Sequence, residues 1–239
     1  MTIPTGTALI TGASTGLGAV YADRLAKRGH DLILVARNGA QMEELAARLR
    51  ADTGVALFVN NAGMSLNGGT LENGTSEIQT IIALNITAAA RLAIAAGKAF
   101  AARGTGKIVN IASVLALAPE TFEGVYSGSK AFLLNLSVSL ANSVRERGVL
   151  VQAVLPGATR TEIWERSGKD IDTFPAEMVM DAGDLVDAAL TGLDRGEEVT
   201  IPPLADEGQW DAYQAARLAM GPGLSRREVA GRYRTTQAA

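Results

Sequence analysis

The sequence predicts an α/β fold, a doubly wound parallel sheet in three layers, α/β/α. Three observations carry this. From Thr7 to Ile201 short apolar runs alternate with longer segments of helical periodicity, the pattern of a parallel sheet with crossover helices. The first strand, Thr7–Thr11, ends in the glycines Gly12, Gly16 and Gly18, and a helix follows at once. Gly12, Arg37, Asn61, Ser113 and Pro156 fall at the C-terminal ends of five different strands, the edge where open α/β sheets gather ligands.

The elements follow in order. After the glycine turn, Leu17, Val20, Tyr21 and Leu25 recur at helical spacing until Gly29 stops the helix. Leu32–Ala36 is a second buried strand, which completes a βαβ unit. Residues 40–51 read as an amphipathic helix and Val55–Val59 as a strand ending in Asn60-Asn61-Ala62-Gly63. Residues 72–103 are largely helical, with Thr75 as the expected N-cap. Lys107–Ala112 is a strand that delivers Ser113, and Tyr126 and Lys130 lie on a helix running to about Arg147. Val149–Leu155 is a strand ending at Pro156-Gly157; a polar loop, a helix over 181–195 and a last strand over 198–201 follow. The tail from about residue 202 reads as a helix over 207–220 and a short segment near 225–233. The expected organisation of residues 1–239 is one domain with this C-terminal extension.

Composition narrows the chemistry. The 239 residues carry a net charge of -3 with 20% charged residues, which leaves no electrostatic footprint for nucleic acid or an anionic membrane. There is no cysteine, so disulfides, thiolate metal sites and a cysteine nucleophile are excluded, and a reducing cytoplasm fits. His30 is the only histidine, which argues against Ser-His-Asp chemistry and ordinary zinc sites; no metal is expected. Residues 1–6 have no basic or long apolar run, so no signal peptide is expected. Residues 81–102 are apolar but carry Asn85, Arg91 and Lys98, and read as a buried helix.

Three local patterns bear on function. The turn Thr11-Gly12-Ala13-Ser14-Thr15-Gly16-Leu17-Gly18 stands at the first strand–helix junction. There Gly12 makes the tight turn, Gly16 admits a pyrophosphate to the backbone and Gly18 allows close helix packing. A glycine turn alone also serves purely structural ends. The second strand closes on Arg37-Asn38 rather than an acidic residue. A guanidinium suits a ribose 2′-phosphate, so NADP(H) is expected over NAD(H), with a solvated arginine as the bland alternative. Further on, Tyr126 and Lys130 are four residues apart and share a helix face. A nearby ammonium favours the phenolate. Bringing a phenol from about pH 10 into the neutral range takes roughly 3–4 kcal/mol of differential interaction. Alone, this spacing also fits an ordinary helix with an exposed lysine.

Together these motifs resemble the short-chain dehydrogenase/reductase family, in order and spacing, over roughly residues 5–201. The residues are Thr11–Gly18, Asn60–Gly63, Asn85, Ser113, Tyr126–Lys130 and Pro156–Thr161. The resemblance implies a Rossmann fold and an NADP(H)-dependent oxidoreductase moving hydride between nicotinamide and a carbonyl or alcohol. It implies Tyr126 as acid/base, Lys130 as the group that lowers the tyrosine pKa and holds the ribose, and Ser113 as the donor to the carbonyl. Asn85 would support a water linking Lys130 to solvent. The implied cofactor contacts are Gly12, Ser14, Thr15, Gly16, Leu17, Gly18, Arg37, Asn61, Ala62, Gly63, Tyr126, Lys130, Pro156, Gly157, Thr159 and Thr161. Pairing into a homodimer or homotetramer through the long helices is also implied. A cofactor-binding sensor or scaffold without turnover is the alternative, and dehydration or epimerisation at the same tyrosine is a third.

One departure stands out. Only residues 38–54 separate Arg37 from Val55, too few for the family's third strand with its own helices. The second strand should therefore be the sheet edge. The substrate wall is expected from Met64, Leu66, Val114, Leu115, Phe122, Ile163 and Trp164, apolar side chains that favour a hydrophobic or aromatic carbonyl compound. Glu120, Glu123 and Arg160 either add polarity there or stay solvated. The 159–180 segment is expected to act as a lid.

Overall fold

The structure, a computed structural model, describes residues 6–36 and 55–234. The chain packs as two compact units, one ending at Pro203 and one beginning at Leu204. Arg37, Asn38 and the helix expected over 40–51 lie outside the described residues.

The first unit is a six-stranded sheet in the order β2-β1-β3-β4-β5-β6. Its strands are β1 (Thr7–Thr11), β2 (Leu32–Val35), β3 (Val55–Asn60), β4 (Gly106–Ile111), β5 (Val149–Val154) and β6 (Val199–Thr200). Every neighbouring pair is parallel, and among the described residues β2 is the edge. The order turns back at β1, so β1 and β3 flank the crevice where such sheets bind ligands.

Alternate strand residues feed two cores. Ala8, Ile10, Leu57, Val59, Val109 and Val154 face helix α1 (Gly16–Lys27) and the helix over Ala182–Arg195. Leu9, Phe58, Ile108 and Val151 face the opposite layer, with Leu92, Ala96 and Phe100 of α2 (Thr75–Arg103) and Ala141 and Val144 of α3 (Gly124–Val144). Both faces are covered, which is why the strands read as continuous apolar runs.

The N-cap of helix α2 falls one residue earlier than expected. Gly74 is the N-cap, and the Glu77 carboxylate accepts its N–H at 2.9 Å. Residues 82–88 of α2 widen into π-helical turns, a distortion often found at functional sites. By length and composition α2 would pass as a membrane span, but half of its most apolar window is buried in the protein. The remaining helices of this unit are α4 (Ile163–Arg166) and α5 (Ala182–Arg195). In the second unit α6 (Glu207–Ala219) is capped by Asp206, stacks Trp210 on Tyr213 at 5.5 Å, and has no buried residue.

Tyr21 of α1 is fully buried in the first core, yet among the described residues its hydroxyl has no hydrogen-bond partner. Burial alone pushes this phenol well above its ordinary pKa. A buried hydroxyl without a partner costs about 1–3 kcal/mol. Tyr21→Phe, which keeps the ring, should therefore raise stability by about 1 kcal/mol or more, read as a higher denaturation midpoint in urea at unchanged slope. A lower midpoint would show that a water satisfies the hydroxyl.

Candidate active site

The site assembles at the C-terminal ends of β1, β3, β4 and β5. The turn after β1 is shaped from across the sheet. Thr11 Oγ1 accepts the N–H groups of Asn61 and Ala62, both at 3.0 Å. Asn61 Nδ2 donates to the carbonyls of Thr11 at 3.0 Å and Gly12 at 3.2 Å. Gly12 and Gly16 take φ of 65° and 55°, a left-handed backbone that only glycine adopts cheaply.

Gly18 has a different task. A Cβ there would lie 2.2 Å from the Gly12 carbonyl oxygen and 2.6 Å from Asn61 Nδ2. Helix α1 thus starts in backbone contact with the turn. Thr15, its N-cap, makes no side-chain capping bond, and the first turn carries no acidic residue. Its leading N–H groups and positive dipole end are left to an anion. Ser14 is exposed, Leu17 half-buried, and Thr161 reaches back over the turn beside Gly16. The free N–H groups of this cradle suit an anion such as the pyrophosphate of a dinucleotide, and a side chain at Gly12 or Gly18 would collide with the atoms that shape it.

The Ser-Tyr-Lys set comes from the end of β4 and from α3. Ser113 is buried; its hydroxyl accepts the Leu115 N–H at 3.2 Å and donates to the Pro156 carbonyl at 3.4 Å. It also hydrogen-bonds the Tyr126 phenol. Lys130 is buried, with Nζ 2.9 Å from the Ile111 carbonyl oxygen and 5.5 Å from the Tyr126 ring centroid. Asn85 is buried at the wide part of α2. It grips the Met64 peptide from both sides, accepting its N–H at 2.9 Å and donating to its carbonyl at 2.8 Å, and donates to Ser129 at 3.1 Å. Ser113, Tyr126, Lys130 and Asn85 are thus brought together with Asn61, Ala62 and Gly63. Gly63 lies against both Asn85 and Lys130. Thr159 is buried and donates to the Gly157 carbonyl at 3.0 Å.

The electrostatics differ from the sequence expectation in sign. Half-buried Tyr126 has its pKa pushed up to about 12 by burial, with the Ser113 hydrogen bond pulling weakly the other way. Burial also brings Lys130 down to about 8. The ammonium is turned to the Ile111 carbonyl and is itself penalised by desolvation, so it does not offset the cost of a buried phenolate. In the protein alone, Tyr126 holds its proton through the neutral range.

Other residues bear on the site that motif spacing did not mark. Glu123 is buried and not a solvated carboxylate. It caps α3, accepting the N–H groups of Val125 and of Tyr126, the latter at 2.7 Å. Asn60 donates to Asn110 at 2.9 Å, Asn110 to Ser137 at 2.9 Å and Ser137 to the Leu133 carbonyl at 2.7 Å. This buried chain ties β3, β4 and α3 in register beneath the site. Only the N-N-A-G stretch hinted at its first member. Glu120 is exposed, and Arg160 pairs with Asp172 at 2.9 Å.

The expected wall residues are half-buried or buried, Leu66 among the latter. Phe122 meets Tyr126 edge-on at 5.8 Å and Trp164 at 6.4 Å, and Trp164 meets Phe174 at 5.1 Å. Trp164 donates to the Thr159 carbonyl at 2.8 Å. The 159–180 excursion is tied at its base, where the Met180 N–H bonds the Ala158 carbonyl at 2.9 Å and the Arg160 N–H bonds the Met180 carbonyl at 3.1 Å.

Comparison with known proteins agrees with this geometry. A family model described as short chain dehydrogenase matches residues 6–58 and 52–172. A solved short-chain dehydrogenase from Sphingobium yanoikuyae, in complex with NADPH, is 42% identical over 96% of this chain and 100% of its own, at a TM-score of 0.91. A bulky-bulky ketone specific alcohol dehydrogenase from Comamonas testosteroni is 39% identical over 95% and 98% of the two chains, at a TM-score of 0.87. Human 17-beta-hydroxysteroid dehydrogenase type 3 is 29% identical over 71% of this chain. The chain spans 64%, 54% and 53% of the length of the first curated relatives it matches. On motif order, sheet topology, family model and whole-length structural likeness together, this chain belongs to the short-chain dehydrogenase family.

Proposed function

We propose that this protein is an NADP(H)-dependent reductase of ketones or aldehydes with bulky apolar or aromatic substituents. The observation that carries the proposal is the convergence of Ser113, Tyr126 and Lys130 beside the glycine turn. In this reading the α1 N-terminus and Gly12–Gly18 hold the pyrophosphate. Arg37 takes the 2′-phosphate, Asn61–Gly63 and Pro156–Thr161 frame the nicotinamide half, and Lys130 holds the ribose. The bound nicotinamide supplies or accepts the hydride. Ser113 then hydrogen-bonds the substrate oxygen, and Tyr126, protonated at neutral pH, donates its proton to that oxygen as negative charge develops. Asn85 orients the Met64 peptide at the edge of the same pocket and keeps Ser129 beneath Lys130.

The preference for NADP(H) rests on Arg37 and on the 42% identical relative solved with NADPH. A bulky apolar substrate is supported by Phe122, Trp164 and Phe174, and by the ketone-specific relative. The same reading takes residues 1–239 as one catalytic domain with an extension from about residue 202. It also takes the exposed Ile82, Ile94 and Phe132 of α2 and α3 as faces through which copies pair into a dimer or tetramer.

Thermal denaturation with each cofactor tests the proposal. At a hundredfold excess over Kd, a ligand bound only by the folded state adds about 2.7 kcal/mol. NADPH should raise the melting temperature well above NADH, and Arg37→Asp should reverse the order. No shift with either cofactor would end the enzyme reading, and an unchanged order in Arg37→Asp would remove Arg37 from the site.

A further inference from the structure

Lys169 stands just after α4, in the excursion between β5 and α5, where neither motif nor family pattern marks it. Its backbone N–H bonds the Trp164 carbonyl at 2.9 Å, so it closes the short helix that carries Trp164. Its ammonium crosses to the loop after β3 and donates to the Leu66 carbonyl at 2.7 Å. The same nitrogen lies 3.9 Å from the centroid of the Phe122 ring, within range of a cation–π contact. Beside it, Gly168 takes φ of 66° and packs so closely that a Cβ would come within 2.8 Å of Asn67 Nδ2. Burial lowers the Lys169 pKa from its ordinary value, and the neighbouring Glu123 carboxylate offsets part of that. One residue therefore touches three separate pieces of chain: the excursion, the loop over 64–68, and the start of the helix bearing Tyr126.

We propose that Lys169 is a positioning residue whose ammonium clasps the α4 segment to the loop after β3 and fixes the Phe122 ring, keeping the aromatic wall closed beside Tyr126. It rests on the reading of Tyr126 as the group facing the substrate. Lys169 touches neither the reacting oxygen nor the phenol. It acts through Phe122, which meets Tyr126 at 5.8 Å, and through Trp164. Without the charge, the Leu66 carbonyl loses its donor and Phe122 its cation, and the excursion keeps the Trp164–Phe122 ring contact, the packing of Gly168 on Asn67 and its base at Ala158–Arg160 and Met180.

The chain has two tryptophans, Trp164 and Trp210, so in a Trp210→Phe background indole fluorescence reports Trp164 alone. Lys169→Met keeps the aliphatic stem and removes the charge. It should raise the acrylamide quenching constant of Trp164 at least about twofold. It should also raise KM for an aryl ketone about tenfold, with kcat within about threefold and the NADPH-induced melting shift unchanged. Lys169→Arg, which restores a donor and a cation, should return quenching and KM to within about twofold of the parent. Lys169→Gln, judged by the same criteria, stands in if the methionine variant does not fold. Parental quenching and KM in the charge-removed variant, or failure of arginine to rescue, would overturn the clasp. If the parent reduces no ketone, the proposed function falls while the quenching comparison still decides the clasp by itself.

Discussion

Tyr126→Phe should cut ketone reduction by about 10²–10⁴-fold, the usual worth of a positioned general acid, while NADPH still raises the melting temperature as in the parent. The substitution keeps the ring that packs edge-on against Phe122 at 5.8 Å. It also leaves the Glu123 cap untouched, because that cap bonds the backbone of residue 126. Only the hydroxyl near Ser113 is lost. The pH dependence of the parent follows from the same environment. With Tyr126 pushed up to about 12, its proton is present throughout the neutral range, so reduction is not limited by the phenol. Reduction should decline above about pH 8, where Lys130 loses its charge. Alcohol oxidation needs the phenolate, a small fraction that grows tenfold with each pH step below that pKa. Its kcat/KM should climb accordingly from pH 7 until the loss of Lys130 flattens the rise. Steady-state kinetics in both directions between pH 6 and 10 would check this. A phenylalanine variant keeping more than about a tenth of parental activity would remove Tyr126 from proton transfer.

Gly18→Ala should be the most damaging single methyl group in the nucleotide half. The added carbon would stand 2.2 Å from the Gly12 oxygen and 2.8 Å from its carbonyl carbon. Both are backbone atoms of a turn pinned by Asn61 at 3.0 and 3.2 Å, so neither has a rotamer to escape into. Either α1 lifts from the sheet or the turn opens. Overpacking of this kind costs about 1–3 kcal/mol or more, which for a chain of this size lowers the melting temperature by roughly 2–12 °C. NADPH should no longer stabilise the variant, because the leading N–H groups of α1 move with the helix. Gly128→Ala is the matched control. It lies mid-helix in α3 with nothing within 4 Å of the added carbon, and replacing a helical glycine by alanine should stabilise by up to about 1 kcal/mol. Opposite signs for one chemical change would place the effect in the contact. Equal cofactor-induced shifts in the two variants would refute the cradle assignment.

The layers of the fold and the residues that meet at the strand ends were legible before any coordinates. Strand and helix periods are short-range properties, and the glycine turn, Tyr126–Lys130 and Ser113 are marked by spacing along the chain. The edge position that β2 holds among the described residues was expected from arithmetic, since residues 38–54 are too few for another strand and its crossover. What spacing did not carry was partnership across the sheet. Motif position marks Asn85, but not that the π-turns of α2 bring it onto the backbone N–H and carbonyl of Met64. Glu123 reads as a surface carboxylate until its side chain folds back on the amides that open α3. The balance of charge was illegible for the same reason. Four-residue spacing puts Lys130 near Tyr126, but desolvation depends on how completely the rest of the chain surrounds both groups, and here it raises the phenol instead of lowering it. Local pattern therefore determined which residues meet at the strand ends. Tertiary packing alone decided how they are held and which protonation state they keep, because burial and long-range hydrogen bonds belong to the assembled chain and not to any stretch of it.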